Sequence, residues 1–382
     1  MQTIMGTDPF ILKKAREIKG SVPIKVVVAM SGGVDSSTAA CLLKEAGYDV
    51  IGLSMRLKVQ EEKSDSGCCG IKGVDDAREV ARKIKIPFYA LNCEKEFEKE
   101  VISYFCDQYG KGRTPNPCIA CNEKMKFGVL LRKAEMLGAA YIATGHYARL
   151  KYDRKSERHI IRKAKDSQKD QSYFLFSLTQ AQLSKTIFPV GDYRKEKVRR
   201  IAKGYGLKVH DKPGSQEICF IPDGDYRRFL ESRMGSGKPA KGDIVDTKGR
   251  IIGEHNGIAF YTIGQRKGIG AHGKPLWVAR IDEKTNTIVA GEDKDLYGDT
   301  LEAHGVNWIS RSGLGKPLKV KAKIRYRHRS SDATVSPLEN GNVTVKFEKP
   351  QRAITPGQAV VFYEGNVLAG GGWIMAAGSM LR

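Results

Sequence analysis

The sequence predicts an α/β protein: a mostly parallel sheet with helices on both faces, followed by a small, mostly β central domain and a C-terminal β-barrel. Three observations carry this prediction. An apolar run, Val26 to Ala29, enters the turn Met30-Ser31-Gly32-Gly33-Val34-Asp35-Ser36-Ser37, and a helical stretch leaves it from Ser36 to Glu45. Strand and helix patterns then alternate at the spacing of βαβ units, which places helices against a parallel sheet. Beyond residue 211 the chain becomes glycine-rich, and its short strands are separated by Gly, Asn and Pro turns, the pattern of small barrels.

In chain order, residues 1–22 read as an N-terminal extension with a short lysine-rich stretch, Phe10 to Ile18. The α/β domain is expected over 23–210. Its second strand is Val50 to Met55. A helix over Val74 to Ile84 follows, with Asp75 and Asp76 in its first turn, where acids favour the helix dipole. Pro87 to Leu91 is the third strand. Helices over Glu94 to Tyr109 and Met125 to Leu137 lead to a strand at Tyr141 to Thr144. Arg149 to Tyr152 and His159 to Arg162 suggest a hairpin. The central domain, 211–284, is read from a short helix at Asp225 to Glu231 and strands at Gly242 to Val245 and Ala259 to Ile263. The barrel, 285–382, is read from strands at Ile288 to Ala290, Lys319 to His328, Asn342 to Phe347, Gln358 to Tyr363 and Val367 to Trp373.

A chain of 382 residues, 41% hydrophobic, can build two or three ordinary cores. The formal net charge of +22, with a pI near 9.6, favours a polyanionic partner. Nucleic acid is the first candidate and an anionic membrane surface the rival. No run of 18 apolar residues and no signal peptide are visible, so the protein is expected in the cytoplasm, off the membrane. Eight cysteines in that setting are read as thiols with packing, metal or chemical roles, not as a disulfide framework.

The turn after the first strand carries the sharpest chemistry. Glycines let backbone N–H groups close on an anion, and the helix end adds unpaired N–H donors. Ser31, Ser36 and Ser37 add hydroxyls. The turn lacks both the lysine ending of GxxxxGK[ST] and the GxGxxG spacing of a dinucleotide site. Asp35 would repel phosphate unless a cation stands between them, so it reads as a Mg²⁺ ligand or a helix cap. Met55 and Gly145-His146 fall at strand ends, where ligands of such sheets bind.

Thr114-Pro115-Asn116-Pro117-Cys118-Ile119-Ala120-Cys121-Asn122 sets two prolines ahead of a CxxC pair. A redox pair, half of a zinc site and a reactive thiol are all open readings. Cys121 falls just before the helix expected from Met125, and Lys124 and Lys126 lie nearby, which favours its thiolate. Cys68 and Cys69 are adjacent and poorly spaced for zinc. Cys219 lies in a short apolar stretch between glycine and proline turns, while Cys41, Cys93 and Cys106 look like packing residues. Lys151 to Asp170 holds eight basic against four acidic residues, and Pro189 to Lys212 eight against three. From Lys319 to Arg329 every odd position is basic. In a strand that places six cations on one face, suited to a phosphate backbone.

The turn resembles the pyrophosphate loop, Ser-Gly-Gly-x-Asp-Ser, of the ATP pyrophosphatases, with their adenine-nucleotide α-hydrolase-like sheet. Taken with Thr114 to Asn122, Gly145-His146-Tyr147-Ala148-Arg149, Lys169 to Leu175 and Cys219-Phe220-Ile221, the chain resembles the tRNA-specific 2-thiouridylases from about residue 24 to 375. The resemblance implies ATP-dependent thiolation of C2 of the wobble uridine (position 34) through an adenylated uridine. The acceptors it implies are the lysine, glutamate and glutamine tRNAs. By match, Ala29, Met30, Ser31, Gly32, Gly33, Val34, Asp35, Ser36, Met55 and Gly145 bind ATP with Mg²⁺. Cys121 is the nucleophile, and Cys219 carries a persulfide received from a sulfur-donor protein. His146, Lys169, Asp170, Gln171, Arg325, Tyr326 and Gln358 contact tRNA. Cys118 departs from a common Asp-x-x-Cys pattern. It opens a second sulfur route in which Cys118, Cys121 and Cys219 hold a [4Fe-4S] cluster that carries sulfur. A different ATP-pyrophosphatase tRNA-modifying enzyme and a non-catalytic RNA-binding module are the more distant readings. A monomer is expected.

Overall fold

The computed structural model describes residues 23–57, 70–214, 218–234 and 240–377. The N-terminal extension, Cys68, Cys69 and residues 215–217 lie outside them. The chain divides into two compact units. The first comprises residues up to Glu100, Cys118–Gly224 and Asn366–Leu368; the second comprises Val101–Pro117, Asp225–Gly365 and the chain from Ala369 on.

The first unit is built on a five-stranded sheet. Its strands are β1 (Lys25–Ala29), β2 (Asp49–Arg56), β3 (Phe88–Asn92), β4 (Tyr141–Thr144) and β7 (Thr186–Ile187), in the order β3-β2-β1-β4-β7. All four pairings are parallel. The apolar run of β1 is buried on both faces, with Val26, Val27 and Val28 fully covered. Helices α1 (Val34–Glu45) and α2 (Ile71–Lys83) follow β1 and β2. Helix α2 begins earlier than the acidic pair suggested, so Asp75 and Asp76 lie beyond its first turn. A helical run over 94–110 forms α3, of which residues 101–110 belong to the second unit. Residues 117–136 form α4, which widens to π geometry from Cys121 to Leu130. The expected hairpin is present as β5 (Ala148–Asp153) and β6 (Arg158–Lys163). Helices α5 (Gln180–Ser184) and α6 (Lys195–Gly204) complete the unit, and α6 packs its Val198 and Ala202 into the same core as Ala39 and Leu43 of α1.

The second unit holds helix α7 (Tyr226–Met234) and two sheets. Four strands, β8 (Gly242–Val245), β9 (Ile251–His255), β10 (Trp277–Asp282) and β11 (Thr287–Gly291), pair in the order β10-β11-β8-β9. Ile288 to Ala290, expected among the barrel strands, belongs to β11 of this sheet. Ala259 to Ile263, expected as a strand, begins instead as a short 3₁₀ turn, Ile258–Phe260. The barrel has six strands: β12 (Tyr297–Trp308), β13 (Leu318–Lys323), β14 (Ser331–Pro337), β15 (Val343–Arg352), β16 (Ala359–Glu364) and β17 (Val367–Ala377). They pair in the order β12-β15-β14-β13-β16-β17, and β12 pairs with β17 to close it. Val320, Val335, Val345, Phe347, Val360 and Phe362 fill the interior.

One strand differs in a way that bears on function. The basic stretch from Lys319 is a strand only to Lys323, and residues 324–330 form a turn. Alternation therefore sets Lys319, Lys321 and Lys323 on the outer face against buried Val320 and Ala322. Arg325, Arg327 and Arg329 do not continue that row. The neighbouring strand supplies the acid that the stretch itself lacks: Lys321 sits opposite Asp332 and pairs with it at 2.8 Å.

Candidate active site

The strand order determines where the site forms. β1 and β4 are neighbours in register, with Ala29 opposite Thr144, and the order of connection reverses between them. The loop after β1 and the loop after β4 therefore leave from one point, the switch point of the sheet. Gly145 stands so close to the first loop that a Cβ on it would lie 2.5 Å from Ser36 N and 2.6 Å from the Asp35 carbonyl carbon. Gly32 adopts φ +71°, and a Cβ there would lie 2.1 Å from Gly73 O. Met55 is buried near the end of β2, two residues beyond Leu53, the partner of Ala29. The expected nucleotide contacts thus converge on adjacent strand ends.

Inside the loop, Ser31 N–H donates to Ser36 Oγ at 3.2 Å, and the Ser36 and Ser37 hydroxyls donate to Gly33 O at 3.3 and 2.9 Å. Ser37, read as a ligand donor, spends its hydroxyl on this back-bond. Asp35 is held by two partners from distant chain segments. Lys195 Nζ, at the start of α6, donates to Asp35 Oδ1 and Oδ2 at 2.6 and 2.7 Å, and Tyr147 O–H donates to Oδ1 at 2.8 Å. Burial, with the Asp35 charge beside it, raises the Tyr147 phenol far out of titration range, so it remains a donor. Burial is also the first cause lowering the Lys195 pKa, and the Asp35 carboxylate opposes it. Lys212 Nζ bonds Asp76 Oδ2 at 2.6 Å and reaches Gly32 O at 3.4 Å.

This geometry corrects one reading of Asp35 and bears on the other. It does not cap α1, whose N-cap is Gly33 with no side-chain cap bond. As to Mg²⁺, both Asp35 oxygens are engaged by the Lys195 ammonium group in this structure. Mg²⁺ uses few protein carboxylates, and the two acids beside the loop, Asp35 and Asp76, each hold a lysine. Tyr147, Lys195 and Lys212 had no role assigned from sequence. Tyr147 lies inside the Gly145-His146-Tyr147-Ala148-Arg149 motif and the lysines inside a basic run, which is the only local trace they leave.

The cysteines divide by environment. Cys41 and Cys93 are buried, and burial pushes their thiols up to about 12 and about 11, which leaves them inert packing groups. Cys118 is exposed, and Cys121 and Cys219 are half-buried. Helix α4 starts at Pro117, because proline is favoured in a first helical turn. Cys118 therefore occupies that turn, while Cys121 lies inside the helix and not ahead of it. Lys124 pairs with Glu123 at 2.7 Å, which offsets the charge expected to act on Cys121. Asn122, buried beside Cys121, donates to Phe174 O at 3.3 Å and so ties the cysteine helix to the segment after Lys169. Cys219 sits in a turn closed by Ile221 N–H to Ile218 O, anchored by Phe220 against Phe97 with ring centroids 5.7 Å apart.

A family model described as a tRNA methyl transferase HUP domain matches residues 24–223. Two further models, described as a PRC-barrel domain of the same type and an aminomethyltransferase beta-barrel domain, match 227–292 and 298–374. The tRNA-specific 2-thiouridylase MnmA of Acetivibrio thermocellus is 52% identical over 92% of this chain and 99% of its own length. Those of Clostridium perfringens and Moorella thermoacetica are 51% and 52% identical over 92% and 91% of this chain, and 98% of their own lengths. The chain belongs to the tRNA-specific 2-thiouridylase family. The models' descriptions refer to methyl transfer, but relatives at this identity and coverage are named as thiouridylases, and a pyrophosphate loop with paired cysteines suits thiolation.

Within this thiouridylase the expected tRNA contacts are unequal. Lys169 is exposed. Asp170 accepts from Ala164 N–H and the Ser172 hydroxyl, both at 2.9 Å, and Gln171 Oε1 accepts from Tyr147 N–H at 2.9 Å. His146 is only 7% exposed, with Phe127 and Phe188 against its ring and Nδ1 2.7 Å from Thr144 Oγ1. In the second unit, Arg325 donates to Arg352 O at 3.0 Å, and Tyr326 lies under Lys323. Gln358 donates to Thr114 O at 2.9 Å and Pro115 O at 3.3 Å. Among the described residues no group of three His, Cys, Asp or Glu side chains could hold a metal ion. Cys118, Cys121 and Cys219 therefore do not form the ligand set that the iron–sulfur route requires. No helix among the described residues is long and apolar enough to cross a membrane.

Proposed function

We propose that the first unit carries out the whole chemistry of the family reaction, with its loop as the ATP site and its cysteines as the sulfur site. The chain is an enzyme, a tRNA-uridine 2-sulfurtransferase. It uses ATP to thiolate C2 of the wobble uridine, position 34. The observation that carries the residue-level reading is the convergence of the loop, Gly145 and the end of β2 at one switch point. Uracil O2 attacks the α-phosphate of ATP, the α–β phosphoanhydride breaks, and pyrophosphate leaves towards the loop amides at the N-terminus of α1. AMP is then the leaving group on C2. A sulfur-donor protein charges Cys219 as a persulfide. The Cys121 thiolate attacks Cys219 Sγ, a Cys121–Cys219 disulfide forms, and the terminal sulfur leaves as hydrosulfide. Hydrosulfide adds to C2, AMP departs, and a dithiol reductant returns both cysteines to thiols.

The tRNA is bound with its reacting base out of the stack, since C2 is otherwise out of reach. Lys169 is the best-placed cation of its segment for that strand, while Asp170 and Gln171 shape the turn that presents it. His146 contributes through its ring, as a neutral wall. The domain division is 23–210, 211–292 and 297–382, the second boundary lying later than the sequence suggested because β11 belongs to the central sheet, with the last as the tRNA-binding barrel. The lysine, glutamate and glutamine tRNAs, a cytoplasmic site of action and a monomeric enzyme belong to the same reading. Mg²⁺ enters as a counter-ion of the ATP phosphates.

The test is thiouridine formation on unmodified tRNA under anaerobic conditions, with a persulfide donor. Cys121→Ser and Cys219→Ser each lose activity while tRNA binding persists. Cys118→Ser retains most of it. Loss of activity in Cys118→Ser, together with loss of bound iron from an iron-loaded parent, would restore the cluster route.

A further inference from the structure

The loop has no lysine of its own, yet a lysine stands at it. Lys195 reaches Asp35 from 160 residues along the chain. Helices α1 and α6 advance together here: Asp35 meets Lys195, and three residues on Thr38 Oγ1 meets Val198 O at 3.4 Å. Both N-terminal turns therefore face the same end, the end where the loop amides lie. The Lys195 side chain is only 15% exposed. An ammonium group carries three donors. Two are engaged by the Asp35 oxygens, and the Tyr147 ring lies 5.7 Å from Nζ as a cation–π neighbour, but no third hydrogen-bond acceptor for Nζ is present among the described residues. A mostly buried ammonium with a donor in hand, at the converging starts of two helices, is suited to an anion.

The local charge agrees. Arg199 and Lys169 are close enough to press on Lys195, and Lys212 stands on the other side at Gly32 O. Against these four cations are Asp35, Asp76, and Asp166, whose Oδ2 accepts from Lys195 N–H. The arc is net positive. A carboxylate alone at this point would repel a phosphate, and the ion pair removes that repulsion while leaving one ammonium donor over.

Resting on the reading of the loop as the ATP site, we propose that Lys195 is the pyrophosphate-binding cation of this enzyme, which contacts the departing β- and γ-phosphates and is held in place by Asp35. It fills the role that the lysine inside a GxxxxGK[ST] loop plays elsewhere, delivered by a separate helix.

The test is equilibrium binding of ATP, AMP and inorganic pyrophosphate to the full chain without tRNA. The variants are Lys195→Ala, Lys195→Arg and the double variant Lys195→Ala/Asp35→Asn, each checked by thermal melting. Lys195→Ala is expected to weaken ATP and pyrophosphate by about 10- to 100-fold, the worth of one hydrogen bond to a charged group. AMP binding stays within about twofold of the parent on the same reasoning, because AMP lacks the phosphates concerned. Lys195→Arg keeps most of the ATP affinity and covers the case in which the alanine variant does not fold. The double variant stays weak. If Lys195 only silences Asp35, the double variant instead recovers parental ATP affinity, and the proposal falls. It falls equally if AMP weakens as much as ATP, or if Lys195→Ala binds ATP like the parent. A parent that binds neither ATP nor pyrophosphate would overturn the reading of the loop itself.

Discussion

His146 shows how a single residue is redirected by its surroundings. A histidine after a strand end, next to Gly145, could stack on an extruded base or pack in a core. Here its ring lies against Phe127 and Phe188 at centroid distances of 6.1 Å. Burial first, and the charge of Lys126 second, hold its pKa well below the usual 6.5. The folded state thus keeps it neutral, while the unfolded chain takes up a proton below about pH 6.5. Because the unfolded state then binds more protons, stability falls as pH drops through that window and is fully present above it. His304 and His328 are lowered in the same direction. Urea midpoints measured from pH 5 to 7 should therefore decline on the acid side for the parent. For His146→Gln the decline should be shallower by up to about 1.4 kcal/mol per pH unit. Equal slopes would place a protonated imidazole in the fold.

At the level of elements, the barrel does more than offer a basic face. Its turn after β15 grips the segment before the cysteines within the second unit: Thr114 N–H donates to Pro356 O at 2.9 Å, and the Gln358 amide donates back to Thr114 and Pro115 carbonyls. Thr114 Oγ1 also meets Thr262 Oγ1 at 3.2 Å. Pro115 cannot supply an N–H of its own, so carbonyl acceptors dominate this stretch and need outside donors. Gln358→Ala leaves two carbonyls without that donor and should cost about 1–2 kcal/mol of stability. Gln358→Glu, which presents no amide N–H, should match it. A loss of tRNA affinity with unchanged melting would instead return Gln358 to the role of a direct tRNA contact.

For the whole molecule, the net charge of +22 sets the character of tRNA binding. Affinity should fall steeply with salt, and each lost phosphate contact should reduce the slope of log K against log salt by about 0.7 to 0.9. The barrel strand is less uniform than its sequence. Lys321 is countered by Asp332, and the Arg325 guanidinium is committed to the carbonyls of Arg352 and Ala353. Arg327 is exposed on the turn beyond β13. Arg327→Ala should thus flatten the salt slope by one contact. Arg325→Ala should lower the melting temperature with the slope intact. Filter-binding titrations across 50 to about 200 mM salt would separate them, the range over which such contacts act most visibly. The reverse assignment of the two effects would return Arg325 to the tRNA face.

Patterns made by neighbours in sequence are legible in the chain alone. The turn at 30–37 and the alternation that makes a parallel sheet are short-range patterns, and both are present; the CxxC pair is equally short-range, but Cys121 falls inside α4 and not ahead of it. Tyr141–Thr144 and Gly242–Val245 match to the residue because strand and turn propensity agree there. What the sequence could not carry was partnership at long range. Lys195 finds Asp35, Asp332 finds Lys321, and Gln358 finds Thr114 only because parallel crossovers and barrel closure bring distant segments together. The basic stretch after Lys323 leaves its strand, although its alternation continues, because local pattern records which residues could face solvent but not where hydrogen-bond partners end. Asp35 is the plainest case. Its position beside a phosphate loop calls for a cation, as elementary electrostatics demands, and the packing of α6 on α1 brings a lysine to it that no local pattern announced.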